Sequence, residues 1–423
     1  LVAIFAIRIK LSHGHWQKDI FDDKIEGRLV VVPLISPSFS RGIVVFYLTL
    51  AGCQQARHTG TVAAHDVKPA APSYVLPITQ DRRVDDLARY LAGLPGKEGS
   101  SFKDAESSPV WTTHAAQSDQ GWSRFLTNRQ PLMREFTKTH LSQAPFTEPT
   151  LFYPFGGPDI MTAQTFFPSA SVYVLVGLEP PGSLPDERAV RESAASFLPG
   201  LRGSLGSILS KSFFITKEMD QQLRGQSADG LLPVMLIELV RNGNTVRGLR
   251  YIAINDDGQW IERPAKQRER GKADGVAVEF ADGAGAVHTL AYFSVNLHNA
   301  AYKDNLAFHR HIERLGPMCA MFKSTSYMPH KNAFDVIRGQ VLSRASAVVQ
   351  DDSGIPFRFY EPGVWQVKLF GHYDQPYGSF RFLKQEDLKS AFSDREQVGE
   401  LPFSIGYGFG RIKSNLLVAK KKS

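Results

Sequence analysis

An α+β fold, with a mixed, largely antiparallel sheet and helices packed on it, follows from three observations. Helix-period and strand-period segments alternate without the strict β-α-β order of a doubly wound sheet. Asp282-Gly283, between two alternating apolar runs, marks an antiparallel hairpin. A chain of 423 residues, 43% hydrophobic and 11% aromatic, also holds enough apolar material for a sizeable core, in one large module or two moderate lobes.

The elements follow in order. Residues 82–94 carry Val84, Leu87, Tyr90, Leu91 and Leu94 at helical spacing and stop at Pro95-Gly96. The polar stretch 99–120 reads as loop. A helix over 121–141 has Trp122, Phe125, Leu126, Leu132, Met133 and Phe136 on its apolar stripe, and Pro131 should kink or divide it. Residues 151–179 read as strand, Gly/Pro turn, short helix over 160–167 and buried strand over 171–179. Helices are expected over 185–198 and 205–223 with a break at Pro199-Gly200, while 231–240 fits helix or strand. Strands follow at 245–255, 276–280 and 287–297, then helices at 302–315 and 333–345, the latter with Asn332 as N-cap and Asp335 at its third position. Strands at 364–370 and 403–407, with a short helix at 387–392 between them, complete the chain. No internal repeat is visible.

Leu50-Ala51-Gly52-Cys53 follows the apolar run 43–50 and an upstream Arg41, the three parts of a secretory signal with a cysteine after the small pair. The tetrapeptide resembles the lipobox of bacterial lipoprotein signal peptides. That resemblance implies cleavage before Cys53, acylation of its sulfur and retention at a membrane, each buried methylene contributing about 0.8 kcal/mol. A buried strand ending in a core cysteine is the competing reading of the same run. Residues 1–52 are then a signal region with upstream read-through, translation starting at a codon such as Val30–Val32, because the first methionine is Met133. Residues 53–80, polar and rich in alanine and proline, read as a flexible tether, and 81–423 as one α+β module.

With 49 Lys and Arg against 42 Asp and Glu the formal net charge is +7. Six basic and four acidic residues precede Cys53, so the part from Cys53 onward carries +5. Its basic runs, 266–272 and Lys420-Lys421-Lys422, lack interleaved aromatics or a readable motif, and read as a solvated loop and a frayed tail; no nucleic-acid partner is expected. Of the two cysteines, lipidation of Cys53 leaves Cys319 unpaired, a core thiol among Met318, Ala320 and Met321.

Zincin, nucleophile-elbow and phosphate-loop signatures are missing from the sequence, and no cofactor is implied. Gly406-Tyr407-Gly408-Phe409-Gly410 lies in the expected late strand and reads as close packing. His309 and His311, two apart on a helix, do not face one way and read as exposed polar residues. Three carboxylates are candidate catalytic groups because they sit at strand ends or glycine turns: Asp159 after Gly156-Gly157-Pro158, Glu179 at the end of a buried strand, and Asp352 beside Asp351. Capping is the competing role for Asp159, and an Asx turn for Asp351 and Asp352, though adjacent carboxylates can also take a cation.

Residues 153–159, 166–168 with 173–182, 350–356 and 401–407 together resemble an uncharacterised family of bacterial envelope proteins. The resemblance spans about 120–420 and carries no established activity. The expectation is a membrane-anchored, periplasm-facing lipoprotein, at the outer membrane if the host is Gram-negative, since Gln54 follows the cysteine. Its module binds an envelope protein, polymer or ligand. The alternative is a hydrolase of an envelope polymer working through Asp159, Glu179 or Asp352.

Overall fold

In the computed structural model the described residues are 75–211, 230–264, 273–394, 396–408 and 414–422. Cys53, the signal region and residues 53–74 of the tether lie outside them. The α+β class holds, and one mixed sheet of eleven strands runs through the described residues. In chain order these are β1 Thr150–Tyr153, β2 Val172–Gly177, β3 Thr245–Ile254, β4 Trp260–Glu262, β5 Asp274–Ala281, β6 Val287–Ser294, β7 Met318–Phe322, β8 Ala345–Gln350, β9 Trp365–Gly371, β10 Val398–Gly399 and β11 Asn415–Lys421. Their order across the sheet is β10-β9-β11-β8-β7-β1-β2-β6-β5-β3-β4.

Antiparallel pairings occupy the flanks apart from the short parallel edge pair β9/β10: β5 and β6 form the hairpin expected around Asp282-Gly283, and β11 lies antiparallel to both β8 and β9. The centre, β8-β7-β1-β2-β6, is parallel throughout. Strands covered on both faces read as continuous apolar runs, and β1, β7 and most of β2 are buried at every position.

Ten α-helices are described: α1 Arg82–Ala92, α2 Pro109–Arg124, α3 Gln130–His140, α4 Ile160–Phe166, α5 Glu187–Glu192, α6 Ala194–Lys211, α7 Leu232–Arg241, α8 Leu306–Arg314, α9 Asp335–Arg344 and α10 Glu386–Ser393. The core has two parts, one on each face of the sheet. Leu151, Tyr153, Tyr173 and Leu175 join residues of α1 to α4, α6 and α7 on one face. Phe152, Val174 and Phe322 join α8, α9 and α10 on the other. The alternation along β1 and β2 is the period of two that sends successive side chains to opposite faces.

Several local expectations need correction. Residues 109–120 are helix rather than loop: Ser108 accepts from the Trp111 N–H as N-cap and Pro109 opens the first turn. The buried face is only Trp111, His114, Ser118 and Trp122, too sparse to show as an apolar stripe. Pro199 does not break α6, which starts earlier, after Ser193. Asn332 opens a 3-10 turn and provides no side-chain cap to α9. Residues 403–407 are not a strand. The last strand is β11, placing Lys420 and Lys421 in the sheet rather than in a frayed tail, because Leu416 to Ala419 are buried on both of its faces. His309 and His311 are buried, not exposed: His309 Nδ1 meets Gln340 at 2.6 Å, and the Trp260 indole donates to His311 Nε2 at 3.1 Å.

Candidate functional site

The parallel centre contains a point where the chain reverses its direction of travel across the sheet. From β1 the chain passes through α4 to β2 on one side; from β7 it passes through α9 to β8 on the other. Helix α4 lies on the first face, and Ile337 and Val341 of α9 lie on the second. The loops leaving β1 and β7 therefore part, and ligands of open α/β sheets bind in the crevice so formed outside the carboxyl ends of the strands. Both loops carry strained backbone. Among the described residues, all four non-glycine positions with positive φ are found there: Phe155 after β1, and Ser324, Ser326 and Tyr327 after β7. Each left-handed L-residue costs roughly 1–2 kcal/mol, and such strain clusters at functional sites.

Beneath the β1 loop lies a buried charge cluster. Asp159 caps α4, accepting from the Thr162 N–H at 3.4 Å and from the Tyr153 hydroxyl at 3.0 Å. Lys323, the residue directly after β7, forms an ion pair with Asp159 and donates to the Thr162 hydroxyl at 3.1 Å. Both side chains are shut from water, at 3% and 1% exposure. Glu238 of α7 accepts from the Met161 N–H at 3.0 Å, while its Oε1 has no hydrogen bond. Burial, followed by the charge on Asp159, pushes the Glu238 carboxyl well above its ordinary range. Burial and the same neighbour also raise the Tyr153 phenol. Arg129 ends a single π-turn, Phe125–Arg129, between α2 and α3. Burial lowers it to about 10, and Asp159 opposes that shift.

The second half of the site is built at the end of β8. Asp351 closes an Asx turn, accepting from the Ser353 N–H at 3.0 Å and the Ser353 hydroxyl at 2.5 Å, and from the Ser324 N–H at 2.9 Å. Burial raises its pKa against those three bonds. Asp352 accepts from the Tyr327 hydroxyl at 2.5 Å and from the Asn415 amide at 2.9 Å. Burial, then the neighbouring Asp351, brings the Asp352 carboxyl up to about 7. His330 Nε2 meets the Asp352 carbonyl at 3.1 Å, and burial brings its imidazole down to about 4.

An aromatic pile leads outward from there. The Tyr407 ring lies between Tyr327 at 6.0 Å and Tyr377 at 6.1 Å, within 10° of parallel to each. Tyr377 is 44% exposed. Gly406, at φ +65°, lets the backbone pass Asp351, where a Cβ would come within 2.1 Å of Oδ2. The glycine-rich stretch thus opens a turn against a carboxylate instead of continuing a strand.

No known protein family, curated protein or solved structure matches this chain.

Of the three candidate carboxylates, Asp159 and Asp352 stand on the two loops that flank β7 and are joined through it. Lys323 holds Asp159, and the next residue, Ser324, donates to Asp351. Glu179 lies beyond β2; its carbonyl accepts from the Tyr292 hydroxyl at 2.8 Å, and its charge, after burial, raises that phenol. Lys323, Glu238, Arg129 and Tyr327 were not expected from the sequence. One signal was available for Lys323: Met318 to Phe322 is a fully apolar run between Gly316-Pro317 and Ser324-Thr325-Ser326, a buried strand whose first residue after the run is a lysine. Among the described residues no three His, Cys, Asp or Glu side chains gather as a metal would require.

Proposed function

We propose that the chain is a membrane-anchored envelope lipoprotein whose α+β module binds a partner or ligand in the crevice between the β1 and β7 loops. The observation that carries the binding reading is the confinement of every left-handed non-glycine residue described to those two loops. Backbone strain of this kind persists only where surrounding structure fixes it, as in a preorganised site. The chemistry on offer suits a polar ligand with a flat face: an exposed Tyr377 ring backed by Tyr407, with Asp352, Tyr327 and His330 beneath. An envelope glycan presents both features.

A second reading, hydrolysis of an envelope polymer, rests on the Asp352 carboxyl near 7, the range suited to a general acid or base. Against it, Asp159 is engaged as cap and ion-pair partner, and both oxygens of Asp352 already accept bonds. Binding is therefore the preferred function.

Two measurements test the proposal. Metabolic labelling with a fatty-acid probe should mark the native chain and fail with Cys53→Ala; surviving label would refute the anchor. Cosedimentation of the unanchored Cys53→Ala chain with purified cell-wall sacculi should be saturable and fall at least fivefold with Tyr377→Ala. Retention unchanged by that substitution would remove the crevice from the binding reading, and release of soluble glycan that stops with Asp352→Asn would favour hydrolysis.

A further inference from the structure

Away from the β1/β7 crevice, the end of α3 and the residues that follow it, together 139–146, border the β9/β11 part of the sheet and leave an open cavity of about 200 Å³. In the antiparallel register Lys368 lies opposite Val418, and Gln366 opposite Lys420. With side chains alternating along each strand, Gln366, Lys368 and Phe370 share one face with Val418 and Lys420. Lys368 and Lys420 are thus diagonal neighbours on adjacent strands, roughly 7–8 Å apart by the usual spacing. Both line the cavity.

Lys368 is exposed and Lys420 half-buried, so the pair is partly solvated, yet it leaves net positive charge at this site. No carboxylate lines the cavity. Lys421, next in sequence, faces the other way onto the Trp365 ring and the Ser343 carbonyl. Neither the Lys368 nor the Lys420 side chain makes an ion pair or a hydrogen bond among the described residues. His140 completes the wall, its ring 4.6 Å from Phe136 and 4.7 Å from Phe370. Its pKa is lowered by burial and then by Lys368, so an anion in the cavity would reverse the second effect. The Gln143 and Gln366 amides add neutral donors. Lysines act as point charges rather than planar forks, so two of them side by side favour an anion of higher charge, such as phosphate, over a single carboxylate.

We propose that this cavity binds a phosphate-type oxyanion, held between Lys368 and Lys420 with His140 as an additional donor. The same chemistry is offered by free phosphate and by the phosphate of a lipid headgroup. This inference is independent of the crevice reading.

The test uses the full chain carrying Cys53→Ala, so that no acyl anchor contributes. Sodium phosphate is titrated at fixed ionic strength while the His140 imidazole is followed by NMR, its signal assigned with His140→Gln. A saturable shift is expected, with the His140 pKa raised by about half a unit, an attraction of about 0.7 kcal/mol. Lys368→Gln with Lys420→Gln should weaken binding at least tenfold while leaving the urea midpoint in place. In a parallel arm, flotation compares phosphatidylglycerol/phosphatidylcholine vesicles with phosphatidylcholine alone. Lysine-dependent flotation with the anionic vesicles assigns the headgroup; a lysine-dependent phosphate response without it assigns the free ion. No lysine-dependent response in either arm, or an equal response to acetate, overturns the proposal.

Discussion

Replacing Lys323 by methionine should expose how the buried cluster is held together. The substitution keeps an unbranched chain of similar length in a site only 3% exposed, but it removes the cation that forms the ion pair with Asp159, leaving Arg129 as the other positive charge that acts on it. Breaking a buried pair by deleting one partner costs about 3–5 kcal/mol, because the remaining charge is left uncompensated. The loss in Lys323→Met should therefore be about 3–4 kcal/mol at pH 7. At roughly 2 °C per kcal/mol for a module of this size, the melting temperature at pH 7 should fall by about 6–8 °C. Urea unfolding at pH 7 measures this directly, with Asp159→Asn and the double variant completing a cycle. The double variant should recover at least about 2 kcal/mol of the summed single losses, since neither charge is then stranded. A loss below about 1 kcal/mol or a coupling near zero would refute the reasoning.

Acid should draw stability away through the buried histidines, against an opposing gain as the Asp352 carboxyl, near 7 in the folded chain, takes up its proton. His114 and His311 are buried and brought down to about 4, burial being the first cause in each. Their unfolded forms take up a proton near 6.5, so the stability that they contribute is complete above that value and is lost as pH falls from 6.5 toward 4. At the limit this is about 3 kcal/mol each. Urea midpoints that stay flat from pH 7 to 5 in an Asp352→Asn background, where the opposing carboxyl is removed, would contradict it. Gly406→Ala should cost about 2 kcal/mol or more, from a φ of +65° and a Cβ within 2.1 Å of Asp351 Oδ2, and a thermal shift smaller than about 2 °C would show that the turn relaxes freely.

Much of the local structure was legible because its causes are local. Helix α1 announces itself by apolar spacing and ends at Gly93 in the left-handed conformation. Asp159 was expected as a cap and is one, and the β5/β6 hairpin follows its turn residues. Cys319 is the buried thiol expected from its apolar neighbours. Helix α2 was missed because most of its surface is polar and its capping serine precedes a proline rather than an apolar run. Strand β11 was missed because two lysines end it, and the sheet neighbours that bury its other residues lie far away in sequence.

The sequence by itself determined the α+β class, most elements, the cap at Asp159, the Asx turn at Asp351 and the motif around Cys53, since each depends on residues within one or two turns of chain. Only the tertiary structure decided that β1 and β7 are neighbours, and hence that Lys323 meets Asp159 across 164 positions and that two strained loops open at one edge. It likewise set Lys368 beside Lys420 through the β9/β11 register. Strand order is fixed by which buried faces fit one another over long separations, and no local spacing in the chain encodes that choice.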